Sequence, residues 1–191
     1  MDERDRIIDF LNEAGMLARV PRSGFAQLGG YRQSVAEHSH RTTVIGMALA
    51  WRAGADAGRV AQLCAVHDLP EARTLDLHHL AKRYAQADES KAVADMTDGL
   101  AFGDAVRGLV EEYAAGETPE AVIAHDADQL ELLLCLRELV EMGNTRAASW
   151  VGRTEARLRT EEARAWAAAI RETPGDRWWH APGDGLEHGD A

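Results

Sequence analysis

"GETPEAVIAHDADQLELLLCLRELVEMGN", residues 116–144, decides the fold class. Thr118 followed by Pro119 is a helix-start signal: the hydroxyl accepts from an otherwise unpaired backbone N–H, and proline's missing N–H costs nothing in a first turn. From there the apolar residues cover almost the whole circumference, which suits a helix at the centre of a domain, buried on most sides. Two carboxylates interrupt it. Asp128 shares a face with Ala124, Leu132, Cys135 and Leu139, and Asp126 lies on another face that is nearly as apolar, so periodicity does not say which of the two has a special task.

Outward from that helix the same period recurs. Ile7, Leu11, Ala14 and Ala18 place an amphipathic helix over residues 3–18, and "RVPRSGFAQLGGYRQS" (19–34) breaks the pattern as a connecting loop. A second helix is expected from Val35 to Arg52, a turn at "GADAG" (54–58), and a third helix from Ala57 carrying Val60, Leu63, Cys64 and His67 on one stripe. Residues 89–115 read as two shorter helices broken near Gly99 and Gly103, and Thr145 to Glu172 reads as one long Ala-rich helix packed on the outside. With no strand pattern and no internal repeat, the class is all-α, a bundle of about six or seven helices. The expected organisation is one domain over 1–173 and a Gly/Pro-rich tail over 174–191 that carries Trp178 and Trp179.

Composition narrows the partners. A chain of 191 residues that is 46% hydrophobic can bury a sizeable core, and a formal net charge of −11 disfavours a phosphate-backbone partner, so no nucleic-acid ligand is expected. Cys64 and Cys135 sit among apolar neighbours and read as buried thiols of a reducing compartment. No apolar run is long enough to span a bilayer, and the charged start "MDERDRIIDF" does not resemble a secretory signal, so no membrane association and a cytoplasmic location are expected.

Several polar residues lie on faces that should be apolar. His38 is followed by Thr42, Ile45 and Leu49 at helical spacing, which turns it toward the core, while His40 points the other way. His67 extends the stripe of the third helix, and Asp68 follows it. Buried carboxylates need a positive partner or a metal. Pairing among these groups, or with an arginine, would satisfy each of them. Taken together, two histidines and two aspartates from three helices also suit one divalent cation.

The order His38, then His67-Asp68, then Asp128 resembles the H…HD…D signature of the HD-domain metal-dependent phosphohydrolases. More narrowly, "LARVPRSGF" (17–25), "SVAEHS" (34–39), "VHDLPEARTLDL" (66–77) and "ADQLELLLCLREL" (127–139) resemble the 5′-deoxynucleotidase branch of that superfamily, over roughly residues 7–142. The resemblance implies an HD-domain helical bundle and removal of phosphate from nucleoside 5′-monophosphates in nucleotide metabolism. It also implies one divalent ion, Co²⁺, Mn²⁺ or Mg²⁺, held by His38, His67, Asp68 and Asp128, and through "ADQLE" it prefers Asp128 to Asp126. Glu71 and Asp76 match the branch's catalytic carboxylates, and Arg19 matches an arginine on the substrate phosphate. Apart from the resemblance, Lys82 is a candidate for a further phosphate contact, with a plain surface role as the alternative. Val20 stands where bacterial members often carry tryptophan, and Leu75 where a glycine usually precedes the second carboxylate. Relatives are commonly dimers, which implies a homodimer with Trp150 and Trp166 supplying apolar area. Action on nucleoside di- or triphosphates, or a non-catalytic nucleotide-sensing module, are the alternative readings.

Overall fold

The computed structural model describes residues 2–29 and 32–179. Among them are nine α-helices: α1 (Glu3–Gly15), α2 (Val35–Ala53), α3 (Ala57–Val66), α4 (Glu71–Thr74), α5 (Glu89–Thr97), α6 (Gly103–Ala115), α7 (Pro119–Glu141), α8 (Thr145–Glu155) and α9 (Glu161–Glu172). The count exceeds the six or seven expected for two reasons. A single turn, α4, follows the end of α3, and the long last helix divides into α8 and α9. The described residues contain no strand beyond one isolated bridge between Pro21 and Ser34, and no helix among them is long and apolar enough to cross a membrane.

Helix α7 is the axis of the fold, packing against α2, α3, α6, α8 and α9. Its Leu130, Leu133, Cys135 and Leu136 are essentially inaccessible to solvent, as expected of a helix that is apolar nearly all round. Thr118 accepts from the Ala121 N–H at its start, as the Thr-Pro signal predicts. Helices α2 and α3 press against each other at Gly46. A Cβ built there would lie 2.8 Å from the Cys64 sulfur and 2.9 Å from a Val60 methyl carbon, so only glycine permits this approach. The close contact brings the start of α2 and the end of α3 to the same level of the bundle.

Thr160 caps α9 by accepting from the Ala163 N–H, and the side chain of Asp126 on α7 accepts from the Arg159 and Thr160 N–H groups at 2.7 and 2.8 Å. A straight helix over 145–172 would forgo these bonds, so the chain turns at 156–160. Trp150 packs with the Phe25 cluster and Trp166 against the main core. Beyond α9 the Gly175 N–H donates to Glu141, and Trp178 and Trp179 are exposed, edge to face with ring centroids 5.2 Å apart. The remainder of the expected tail, residues 180–191, lies outside the described residues.

Candidate metal centre and active site

His38 enters the site one turn into α2. A capping box fixes that start: Ser34 accepts from the Glu37 N–H, and the Glu37 carboxylate accepts from the Ser34 N–H. His38 is fully buried. Its Nδ1 donates to Glu131 Oε2 at 2.6 Å, which leaves Nε2 to face the cluster. His67 caps the end of α3, where Nδ1 donates to the Cys64 carbonyl at 2.8 Å, so again Nε2 is the ring atom that faces the cluster. The two rings lie 5.4 Å apart.

Both Nε2 atoms face carboxylates. His38 Nε2 is 3.1 Å from Asp128 Oδ1 and 3.7 Å from Asp68 Oδ2, and His67 Nε2 is 3.2 Å from Asp68 Oδ2. Neither nitrogen makes an aligned hydrogen bond, although both are buried. Ligand atoms of His38, His67 and Asp128 all fall within 4.8 Å of one another. Once deprotonated at Nε2, two buried imidazoles converging with ionised carboxylates form a donor set that fits a divalent cation of borderline hardness. Burial opposes ionisation of Asp68 and Asp128. The imidazoles and Arg22 outweigh it, holding Asp68 near 2 and Asp128 well below the usual carboxylate range. Burial also opposes a charged His38, yet Asp128 and Glu131 beside it lift that ring to about 9.

The catalytic pair expected from the sequence borders this group. Glu71 opens α4, its N–H bonded to the Asp68 carbonyl. It is not on a continuation of α3, because a turn over 67–70 intervenes. Its Oε2 is buried without a hydrogen-bond partner, and burial, with Asp68 and Asp76 close by, pushes its carboxyl up to about 8. Asp76 accepts from the Ser23 N–H at 2.8 Å and so anchors the 3-10 turn Ser23–Leu28 beside the site. Between the two acids Leu75 adopts φ 62° and ψ 160°, a region that suits glycine.

The arginine in the cluster is Arg22, not Arg19. Arg22 lies 3.1 Å from Asp68 and 3.8 Å from Asp128, whereas Arg19 is exposed and turned to the Met16 sulfur. Lys82 lies on the exposed turn Ala81–Arg83 and opposes the rise at Glu71 only weakly. Asp126 faces away from the cluster to hold the start of α9, and His125 donates to the Tyr113 carbonyl while stacking on its ring, so both stand outside the donor set. Val20 is buried with Leu17, Val35, Leu69 and Met96 and does not face the site.

Two residues at the centre escaped the sequence reading. Arg22 sits in a loop without periodicity. Glu131 lies three residues beyond Asp128, and its position inside an apolar run was the available signal. Its Oε1 accepts from Gln33 at 2.6 Å and Arg41 at 2.9 Å. Arg22 and Asp76 also form one wall of a cavity of about 420 Å³, whose other sides carry Phe25, Leu132, Trp150 and Arg157. A larger cavity, about 830 Å³, is walled by Ile45, Leu130, Trp166 and Trp178 and includes none of the cluster residues.

The profile of the HD domain matches residues 14–168. The chain belongs to the HD-domain family. Within that family it is similar to 5′-deoxynucleotidases. It is 31% identical to 5′-deoxynucleotidase HDDC2 of Xenopus laevis over 146 residues, which is 71% of this chain and 70% of the relative. To the Danio rerio protein of the same name it is 28% identical over 148 residues, 72% of each. Among solved structures, a protein of Magnetospirillum magnetotacticum described as a predicted metal-dependent phosphohydrolase superposes with a TM-score of 0.66 at 26% identity, covering 90% of this HD-domain chain and 95% of that one. The all-α bundle and the family expected from the H…HD…D order are thus both found, and family membership implies a divalent metal whose identity is open.

Proposed function

We propose that the protein is a divalent-cation-dependent phosphohydrolase that removes the phosphate of nucleoside 5′-monophosphates, in the manner of the 5′-deoxynucleotidases it resembles. The observation that carries this reading is the convergence of the His38 and His67 ring nitrogens on Asp128, with Asp68, Glu71 and Arg22 around them. His38, His67 and Asp128 hold the cation, with Asp68 alongside. A cation held there would supply Lewis-acid polarisation of the phosphoryl oxygens and a lowered pKa for water, and its charge would favour the ionised form of Glu71.

The protein's own groups supply the rest. Glu71, buried and without another partner, takes the proton of the attacking water. Arg22 neutralises charge on the phosphate, replacing Arg19 in that task, and Lys82 attracts the anion from the rim. Asp76, fixed by the Ser23 amide, orients the departing 5′-oxygen or the water. The substrate is a small nucleotide, and the metal is Co²⁺, Mn²⁺ or Mg²⁺. The test is phosphate release from a panel of nucleoside 5′-monophosphates by protein reconstituted with each ion. Glu71→Gln should retain the cation and lose turnover by about 10²–10⁴-fold. Absence of release with every ion, or full turnover by Glu71→Gln, overturns the reading.

A further inference from the structure

The cavity beside the metal centre holds more positive charge than one phosphate needs. Trp150, Arg153 and Thr154 of α8 line it, with Arg157 from the turn just after that helix. Several arginines of the fold have a carboxylate partner, as Arg52 has Glu162, Arg73 has Glu13 and Arg171 has Glu155. Arg153 and Arg157 make no ion pair or side-chain hydrogen bond among the described residues. Both are exposed, and together they bring two guanidinium groups to one cavity on a chain of net charge −11. They are also separate from Arg22, which already sits between Asp68 and Asp128.

We propose that Arg153 and Arg157 bind a second phosphate of the substrate, carried on the sugar 3′-oxygen, so that the preferred substrate is a nucleoside 3′,5′-bisphosphate. This rests on the phosphohydrolase reading above. Phe25, Leu132 and Trp150 give the cavity an apolar lining suited to a nucleoside. Along α7, Leu132 follows Asp128 by one turn, roughly 6 Å of rise, so the cavity extends from the cluster toward α8. A further phosphate on the 5′ chain would place its charge beside the scissile phosphorus, among Asp68 and Asp128. A 3′-phosphate places it across the ribose, where planar guanidinium groups can engage it in paired hydrogen bonds. His78 and His79, also in the wall, add ring nitrogens. In the reaction a water oxygen bonds to the 5′-phosphorus, the P–O5′ bond breaks and O5′ receives a proton. Nucleoside 3′-monophosphate and inorganic phosphate are released, with the 3′-ester intact.

The test compares kcat/KM for a nucleoside 5′-monophosphate, its 3′,5′-bisphosphate and its 5′-diphosphate, in wild type and in Arg153→Ala/Arg157→Ala. The bisphosphate should exceed the monophosphate about tenfold or more in wild type, and the ratio should fall to about one in the variant. A wild-type ratio near one, a ratio unmoved by the substitutions, or a diphosphate cleaved as well as the bisphosphate overturns the proposal. Calorimetric titration with nucleoside 3′-monophosphate and with the bare nucleoside separates the two readings. If no substrate is cleaved, the phosphohydrolase reading fails. The 3′-phosphate subsite then stands only if the 3′-monophosphate binds more tightly and the double substitution removes that gain, and equal binding overturns it.

Discussion

Glu131 has no accessible surface, yet it is ionised, because the bond to His38 and the charge of Arg41 overcome burial and hold its carboxyl near 2. A carboxylate that fixes the tautomer and orientation of a metal-binding imidazole contributes to affinity without touching the ion. Glu131→Gln keeps the shape but gives up the charge, and it should weaken cation binding by about 10–100-fold, measured by competition with a chelating dye. Unchanged affinity would make the His38–Glu131 contact purely architectural. At this scale the sequence was only partly legible. The imidazoles and Asp128 are visible as polar groups on apolar faces, a signal that exists because burying them uncompensated is costly. Glu131 breaks the same rule, but its leucine-rich neighbourhood masks it. Arg22 has no such signal, since a loop residue acquires its place only when the bridge between Pro21 and Ser34 folds the loop back.

At the scale of elements, Asp126 and Asp128 show how a helix divides its labour. Two residues apart on α7, they point to different sides, one toward the imidazoles and the other to three donors at the start of α9. Asp126→Ala should cost about 1–3 kcal/mol in denaturant unfolding, because it strips a buried set of N–H and hydroxyl groups of their acceptor, while cation affinity stays as in wild type. An affinity loss instead would place Asp126 in the donor set. The start of α7, the break between α5 and α6 and the extent of α2 were readable from caps, glycines and periodicity. The break between α8 and α9 was not, although Thr160 with two following glutamates is itself a helix start. What selects the bent path is the pull of Asp126, a long-range contact that local pattern does not contain. The turn at 67–70 is similar, for it breaks the helical phase between His67 and Glu71 and sets the acid beside the cluster from a helix of its own.

For the molecule as a whole, the donor set joins positions 38, 67 and 128, which belong to α2, the end of α3 and α7. An ion that binds the folded arrangement but not the unfolded chain stabilises the fold by mass action, by about 2.7 kcal/mol when its concentration is 100 times its dissociation constant. For a chain of this size that corresponds to a rise in Tm of roughly 5–10 °C, readable by differential scanning calorimetry with and without the ion. A rise in which His38→Ala and Asp128→Ala share equally with wild type would show that the ion binds elsewhere. The same bridging makes the history of a sample part of its behaviour. Protein kept in EDTA or passed over a chelating resin should be nicked sooner by proteases than protein stored with its ion. Two preparations of one sequence would then disagree in the laboratory for reasons of supply alone.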